Sequence, residues 1–199
     1  MKDSVSDLNQ RIAKRVGELR AAQGLALDAL ARKSGVSRSM ISLIERGESS
    51  PTAIVLDKLA AGLGVTLPSL FDPPNAATRT NCGPVARRDD QSQWTDPASG
   101  YVRRNVSPPS VPQPMKIVEV QFPPRGRVTF ETTERDKRVH QQVWILEGSM
   151  DITLGTERYQ LREGDCLAMQ LGGPVMFHNP TRKPARYAVV IASETPSKR

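Results

Sequence analysis

The spacing of apolar residues differs between the first third of the chain and the remainder. Apolar residues in the first third recur every three or four positions, beginning with Leu8, Ile12, Val16 and Leu19. This spacing puts the side chains on one face of a helix. In the C-terminal half the period falls to two, as in Val118, Val120 and Phe122, which is typical of strands. The pattern therefore predicts an all-α N-terminal part followed by an all-β C-terminal part.

Polar caps and glycines divide the first third into five predicted helices. The predicted limits are Ser6 to Gly24, Leu27 to Gly35, Ser37 to Gly47, Pro51 to Gly64, and Leu67 to Phe71. Ser37 can cap the third helix, because a serine hydroxyl accepts from a free N–H of the first turn. We expect Met40, Ile41 and Ile44 to form the buried side of that helix.

The turn between the second and third helices has the composition of a helix-turn-helix. It consists of Ser34, Gly35, Val36 and Ser37, and the glycine permits a sharp change of direction. The N-terminal end of the following helix can then enter the major groove of DNA. The net charge of +7 favours a polyanionic partner only weakly. A helical bundle without a ligand is the alternative that these features leave open.

The run GLALDALARKSGVSRSMISLIERGESSPTAIVLDKLAAGLGVTLPSLF closely resembles the phage-repressor-like, or XRE-type, helix-turn-helix family. The resemblance covers residues 8 to 71 and implies a lambda-repressor-like domain of five helices, with 38–46 as the recognition helix. It implies a double-stranded DNA operator, with base contacts from Arg38, Ser39, Ser42 and Leu43. It also implies phosphate contacts from Ser37 and Arg46, and a structural ion pair between Arg20 and Glu45.

The side-chain chemistry agrees with two of these implied roles, and one position departs from the family pattern. Arg38 has the paired donors that bind O6 and N7 of guanine, and Leu43 can touch a thymine methyl group. The family often has a polar residue at the start of the second helix, where this chain has Ala26 and Leu27. We therefore expect that helix to begin without a side-chain cap.

The C-terminal part resembles a second family. Residues 72–81, DPPNAATRTN, have linker composition, and the core QVWILEGSMDITLGTERYQLREGDCLAM resembles the cupins. The resemblance implies a double-stranded β-helix, or jelly roll. The predicted domains are an XRE-type DNA-binding domain at 1–71, a linker at 72–81 and a cupin-type sensor and dimerisation domain at 82–199. In XRE–cupin regulators, which have this order of domains, the barrel dimerises and is thought to sense small molecules.

The positions that hold metal ligands in metal-binding cupins lack suitable side chains here. With Gly148, Gly164, Gly172 and Asn179 as anchors, the ligand positions fall on Arg135 or Glu134, Lys137 or Asp136, Gln141, and Val175. Lysine at neutral pH offers no lone pair, and valine offers no ligand atom. His140 and His178 lie one residue out of register, and strand alternation turns His140 to the opposite face. We therefore predict neither a metal nor a cofactor.

The interior of the barrel is predicted to include Gln141, Val143, Ile145, Val175 and Phe177. An apolar wall with one amide is the usual composition of a small-ligand pocket. Small barrels also commonly have filled interiors, so a pocket and a packed core both stay open.

These features predict a sequence-specific DNA-binding transcriptional regulator without catalytic residues. It is expected to form a homodimer and to respond to an unidentified small-molecule effector. The alternative is a cupin-fold metalloenzyme with an auxiliary helix-turn-helix domain. A phosphonate epoxidase with non-haem iron has this architecture, but the positions of its His–Glu–His triad are Lys137, Gln141 and Val175 here.

Localisation is predicted from features that the sequence lacks. No run of about 18 apolar residues occurs, so no membrane partner is expected. The N-terminus has no apolar secretory segment, and the two cysteines form no C-x-x-C pair. We therefore expect a cytoplasmic protein with reduced thiols.

Overall fold

Four α-helices and a short 3-10 helix form the N-terminal part of the computed structural model. The structure describes residues 3–65, 67–71, 84–108, 114–130, 139–170 and 173–193. The helices are α1 Asp3–Ala22, α2 Leu27–Ser34, α3 Arg38–Glu45, α4 Ala53–Leu63 and the 3-10 helix Leu67–Phe71. The fifth predicted helix is therefore a 3-10 helix, a geometry common in short pieces. The predicted linker at 72–81 lies outside the described residues.

The helix ends follow from residues that satisfy free backbone groups. The Ser37 hydroxyl oxygen accepts a hydrogen bond from the backbone N–H of Met40 at 3.2 Å and thereby caps α3. Gly35 ends α2 in the left-handed conformation, with a φ of 68°. Ala26 provides no side-chain cap for α2, as expected. The start of α1 was predicted wrongly, because this helix begins at Asp3 rather than at Ser6.

The four helices bury one apolar cluster. Its fully buried large side chains are Ile12, Leu30, Ile41, Ile44, Leu56, Leu59, Leu63 and Leu70. Met40 was predicted to be buried but is 36% exposed. It lies about 100° around the helix axis from Ile41, at the edge of the buried stripe. No helix among the described residues is long and apolar enough to cross a membrane.

Gly62 allows α2 and α4 to approach closely. A Cβ atom at Gly62 would lie 2.8 Å from the Cβ atom of Ser34 and 3.1 Å from its Cα atom. Real Cβ atoms do not approach other heavy atoms this closely, and the nearest atoms belong to a backbone that cannot rotate away. The glycine therefore sets the distance between the two helices, and with it the position of the turn that leads into α3.

The C-terminal part forms two antiparallel sheets. Its described strands are β1 Gln93–Thr95, β2 Val102–Asn105, β3 Met115–Phe122, β4 Arg127–Phe130, β5 Val139–Glu147, β6 Ser149–Leu154, β7 Glu157–Arg162, β8 Cys166–Gln170, β9 Val175–His178 and β10 Ala185–Ser193. The six-stranded sheet has the order β1-β2-β3-β10-β5-β8, and the four-stranded sheet has the order β4-β9-β6-β7.

Strand alternation directs every second side chain into the space between the sheets. In β5, Val143 and Ile145 are fully buried. Trp144, which lies between them, is exposed, and so is His140 nearer the start of the strand. Aromatic contacts join the two sheets. The ring of Tyr187 in the six-stranded sheet stacks on the ring of Phe177 in the four-stranded sheet, with 5.8 Å between the ring centroids. This sheet-on-sheet arrangement confirms the predicted all-β class of the C-terminal part.

The helical part packs against β1 and β2. The ring of Phe71, which ends the 3-10 helix, lies 5.6 Å from the ring of Trp94 in β1. The guanidinium of Arg103 in β2 lies over the same Phe71 ring, 5.4 Å from its centroid, a cation–π contact. The buried apolar residues of both parts form one continuous cluster. The two parts therefore share a core.

Asp96 provides a polar connection between the helical and β parts. Its side chain is buried in the turn between β1 and β2. Its Oδ1 accepts from the backbone N–H of Ala53, the first residue of α4, at 2.8 Å. Its Oδ2 accepts from the backbone N–H of Ser99 at 2.8 Å and from the Ser99 hydroxyl at 2.5 Å. A carboxylate at a helix N-terminus is stabilised by the helix dipole, so this contact fixes the start of α4 on the β part.

We expect Gly62→Ala to lower the free energy of unfolding by about 1–3 kcal/mol, because overpacking forces neighbouring backbones apart. Gly17→Ala is the matched control, since this second helical glycine has room for a Cβ, whose nearest neighbour would be Glu45 Oε2 at 3.7 Å. An unstrained helical Gly→Ala change is neutral or stabilising by up to about 1 kcal/mol. Urea unfolding measures both, and equal effects would contradict the close approach at Gly62.

Candidate functional site

The helix α3 places the predicted DNA-contacting side chains on its outer side. Its inner side packs into the helical core through two isoleucines. The side chain of Arg38 is 66% exposed. The exposed members of the predicted set are Ser37, Arg38, Ser39 and Arg46, and the partly buried ones are Ser42 and Leu43. The structure therefore brings these six residues together on one surface, although their contacts with DNA stay a prediction.

The hydroxyl groups on this surface already make local hydrogen bonds. The Ser37 oxygen accepts the capping bond of α3 and lies 3.2 Å from the hydroxyl of Ser39. The Ser42 hydroxyl accepts from Nη1 of Arg46 at 2.5 Å. A hydroxyl that accepts in this way still has its proton to donate. Ser42 can therefore donate to a phosphate or a base acceptor, and so can whichever of Ser37 and Ser39 accepts the hydrogen bond between them.

Both arginines of this surface have carboxylate partners in the free protein. Arg46 donates to both carboxylate oxygens of Glu48, at 2.8 and 2.9 Å. These hydrogen bonds lower the pKa of Glu48 and raise the pKa of Arg46. Arg38 lies 3.5 Å from Asp28 in α2, with both side chains more than half exposed. Exposed ion pairs contribute little to stability, so a phosphate or a guanine can replace either carboxylate.

A less exposed ion pair holds α3 against α1. Nε and Nη2 of Arg20 donate to the two oxygens of Glu45, at 2.6 and 2.7 Å. Nη1 of Arg20 also donates to the carbonyl of Leu25 at 2.8 Å. The side chains are 22% and 15% exposed, and the hydrogen bonding of Arg20 to Glu45 is the main reason that the pKa of Arg20 is raised. This bidentate contact fixes the end of α3, as the family resemblance implies.

The five side chains predicted to line the barrel interior occupy the inner faces of β5 and β9. Val143 and Ile145 have no accessible surface, and Val175 and Phe177 are 3% and 7% exposed. Gln141 is partly buried. A side chain without accessible surface has no room beside it even for a water molecule, so Val143 and Ile145 are core residues here. The ligand pocket in this place stays a prediction.

The two histidines lie on the outer faces of different sheets. His140 is on the outer face of the six-stranded sheet, and His178 is on the outer face of the four-stranded sheet, 3.5 Å from Asp151. Val175 is buried at an inner position. Positions 134–137 lie outside the described residues. Within the described part of the chain, no three His, Cys, Asp or Glu side chains cluster as metal ligands do.

Two features of the surface and of the domain junction were missed by sequence reasoning. Met40 adds an exposed apolar group to the first turn of α3, and Ser49 Oγ lies 3.8 Å from its sulfur atom. Its place at the edge of the stripe was the available signal. Asp96 was missed because its Asp-Pro sequence indicates only a turn. Nothing near it in sequence indicates a bond to a residue 43 positions earlier.

Comparisons with known proteins agree on the class of protein. A helix-turn-helix family model matches residues 16–70. The chain is 29% identical over 202 residues to the HTH-type transcriptional regulator PuuR of Escherichia coli, covering 97% of this chain and 99% of that protein. It is 34% identical over 67 residues to the HTH-type transcriptional regulator y4dJ of Sinorhizobium fredii, covering 34% of this chain and 87% of that protein.

A solved structure has the same fold over nearly the whole chain. The crystal structure of an HTH_3 family transcriptional regulator from Vibrio cholerae superimposes with a TM-score of 0.76, at 23% sequence identity. The match covers 96% of this chain and 99% of that one. The order of a helical part and a β part is therefore common to both proteins.

We expect Glu45→Ala to lower the free energy of unfolding by about 2 kcal/mol, because it removes two charge-assisted hydrogen bonds from a largely buried site. Arg20→Lys should also destabilise, since an ammonium cannot reproduce the paired donors. Glu48→Ala, which breaks an exposed pair with the same geometry, should have no measurable effect. Thermal and urea unfolding compare the three, and equal losses at Glu45 and Glu48 would contradict this role.

Proposed function

Because this chain belongs to the helix-turn-helix family of transcriptional regulators, we propose that it binds a specific DNA operator as a dimer and responds to a small-molecule effector. The observation that carries the proposal is the surface of α3, where six exposed or partly buried side chains suited to DNA lie together. The proposed domains are a DNA-binding domain at 1–71, a linker at 72–81 and a sensor and dimerisation domain at 82–199.

The proposed DNA contacts divide between base recognition and positioning. Arg38, at the exposed start of α3, has the paired donors that recognise guanine in the major groove. Ser39, Ser42 and Leu43 lie beside it and contact neighbouring bases. Ser37 and Arg46, at the two ends of α3, bind phosphates, which position the protein without selecting a sequence. The neighbouring Asp28 and Glu48 carboxylates are displaced on binding.

A dimer is proposed because two recognition helices must contact half-sites about 34 Å apart, one turn of DNA. The outer side of the six-stranded sheet is the surface that supports it. Met115, Ile117 and Trp144 are 53%, 42% and 50% exposed there, and Val190 and Ala188 of β10 lie between them by register. We call these five residues the outer apolar face.

The surroundings of the outer apolar face fit an interface between identical chains. Arg104 donates to Glu119 at 2.5 Å, and Arg186 lies 3.5 Å from Glu147. Both pairs stand beside the apolar residues on the same sheet. An apolar centre with a polar rim is the usual anatomy of a protein interface. A two-fold axis through such a face brings the same residues of both copies together.

A regulatory role is proposed here rather than catalysis. The relatives named above are transcriptional regulators. The inner position of β9 that corresponds to a metal ligand holds the buried Val175, which cannot bind iron, zinc or manganese. Elemental analysis of protein purified without chelator separates the two functions, because about one equivalent of such a metal per chain would favour the enzyme.

We expect Arg38→Ala to weaken binding to the operator by about 1–3 kcal/mol and to relax specificity at one base pair. The operator is first selected from random duplexes with the wild-type chain. Binding is then measured at fixed salt for the selected duplex and for single base-pair variants of it. If Arg38 binds a phosphate instead, affinity falls for all sequences and the salt dependence weakens by about one charge.

Arg182→Ala is the matched control for this experiment. It removes one exposed positive charge from the β part, so it changes the net charge equally without touching α3. Equal operator affinity for wild type and Arg38→Ala would contradict the role of Arg38. An equal loss in both variants would assign the effect to overall charge.

We expect Trp144→Lys to convert the dimer into a monomer, because it buries a charge in the apolar centre of the proposed interface. Trp144 is half exposed, so the chain should keep its circular dichroism spectrum. Sedimentation equilibrium measures the mass. Val85→Lys is the control, since Val85 is 62% exposed and lies outside the sheets. An unchanged dimer mass in Trp144→Lys would exclude this face.

A further inference from the structure

An open cleft lies between the helical part and the β part. Its volume is about 540 Å³, within the range of small-molecule sites, which often occur at domain interfaces. Three segments line it: Thr52 and Ile54 at the start of α4, Asp96, Ala98 and Ser99 in the β1–β2 turn, and residues 126–129 at the start of β4. We call this space the interdomain cleft. It is separate from the barrel interior.

The interdomain cleft contains a cation that no carboxylate of the described residues neutralises. Arg127 is exposed at the start of β4. His178 in β9 lies opposite Arg127 in the sheet, and Asp151 in β6 lies opposite His178 on its other side. The Asp151 carboxylate is nearly fully buried and already binds Arg158 at 2.6 Å and His178 at 3.5 Å. Asp151, two strands away on this sheet, is therefore engaged. Asp96, in the wall of the cleft, is engaged too, because it accepts from Ala53 and Ser99. Arg127 thus has no ion pair with a carboxylate of the described residues and is available to bind an anion.

The other walls indicate the shape and chemistry of the ligand. Ile54 is 39% exposed and Ala98 is exposed, and both line the cleft, so an apolar group finds contacts there. The Thr52 hydroxyl accepts from Val55 N–H at 3.3 Å and keeps its proton for donation. A guanidinium binds a planar carboxylate with two parallel hydrogen bonds. In a carboxylate with a short branched apolar chain, the carboxylate can bind Arg127 and the chain can contact the apolar wall at Ile54 and Ala98.

The interdomain cleft also lies against the contact that fixes the DNA-binding part. Asp96 lines the cleft, and its carboxylate caps α4 through the backbone N–H of Ala53. The chain between α3 and α4 spans positions 46–52 and includes Arg46, the proposed phosphate contact. An occupant of the cleft therefore touches the anchor of α4 and the end of that connection. A ligand that favours one placement of α4 changes DNA affinity by its differential affinity for the two placements.

We propose that the interdomain cleft binds a small carboxylate with a branched apolar chain through Arg127, and that its occupancy alters operator affinity. The coupling to DNA rests on the proposed function, whereas ligand binding does not. The site differs from the barrel pocket predicted from sequence, since none of Gln141, Val143, Ile145 and Phe177 lines it.

The test measures binding of 3-methylbutanoate to the full chain by titration calorimetry without DNA. The uncharged isostere 3-methylbutanamide is the ligand control. We expect the carboxylate to bind and the amide to bind at least about tenfold more weakly, because the amide lacks the charge that Arg127 recognises. No heat of binding for the carboxylate up to about 10 mM, or equal binding of the two, overturns the proposal.

Three variants locate the site. Arg127→Gln should weaken carboxylate binding about tenfold, and Arg182→Gln, which removes a cation elsewhere on the β part, should not. Ala98→Phe fills the cleft from an exposed position and should abolish binding while the chain stays folded by circular dichroism. Unchanged binding in both Arg127→Gln and Ala98→Phe would place the ligand elsewhere and overturn the proposal.

The coupling is tested separately with the selected operator duplex. We expect 3-methylbutanoate to change operator affinity of the wild type and to have no effect on Arg127→Gln. If the ligand binds but operator affinity does not change, the regulatory half of the proposal is overturned. If the chain binds ligand and selects no DNA sequence, the proposed function fails while the site stands.

Discussion

The buried carboxylate of Asp96 is the contact on which the relation between the two parts depends. It accepts from the first N–H of α4 and from two donors of its own turn. A buried carboxylate is costly unless it is hydrogen-bonded, so the β1–β2 turn and the start of α4 each need the other in place. The polar contact thereby specifies one orientation of α4 relative to the β part, because hydrogen bonds are directional and apolar packing is less so.

An aromatic row continues this connection through the β part. Neighbouring ring centroids lie 5.6 to 6.2 Å apart along the series Phe71, Trp94, Tyr101, Phe122, Tyr187, Phe177 and Phe130. Burial raises the pKa of Tyr101 and Tyr187, so both stay neutral. The row runs from the end of the helical part, across the six-stranded sheet, to Phe130 at the end of strand β4. Rings in contact are close-packed and shift together.

The helical part illustrates a division between rigid and exchangeable charge. The Arg20–Glu45 pair is largely buried and bidentate, and it orients α3. The Arg46–Glu48 pair has the same geometry but is half exposed, so water competes for it and its partners exchange readily. The same kind of ion pair therefore holds the end of α3 in place where it is buried. Where it is exposed, on the outer surface, its arginine can exchange the carboxylate for a polyanion.

The sequence by itself determined the local elements. Apolar spacing and the glycines that follow each helix account for α2, α3 and α4, and the Ser37 cap accounts for the start of α3. These signals act within one or two turns of a helix. Alternation likewise indicates the inner and outer faces of β5. The resemblance to known families indicated the surface of α3 and the pair of Arg20 with Glu45, which the structure forms.

Only the tertiary structure decided what distant segments do together. Asp96 is 43 positions from the helix that it caps, and Arg127 reaches the cleft beside Thr52 only because β4 lies against α4. Local sequence carries no signal for such pairs, since they depend on how complete elements pack. The same holds for Gly62, where a side chain is excluded by Ser34 of another helix. For Met40 the place at the edge of the apolar stripe was a signal, but its exposure was decided by which neighbours cover α3.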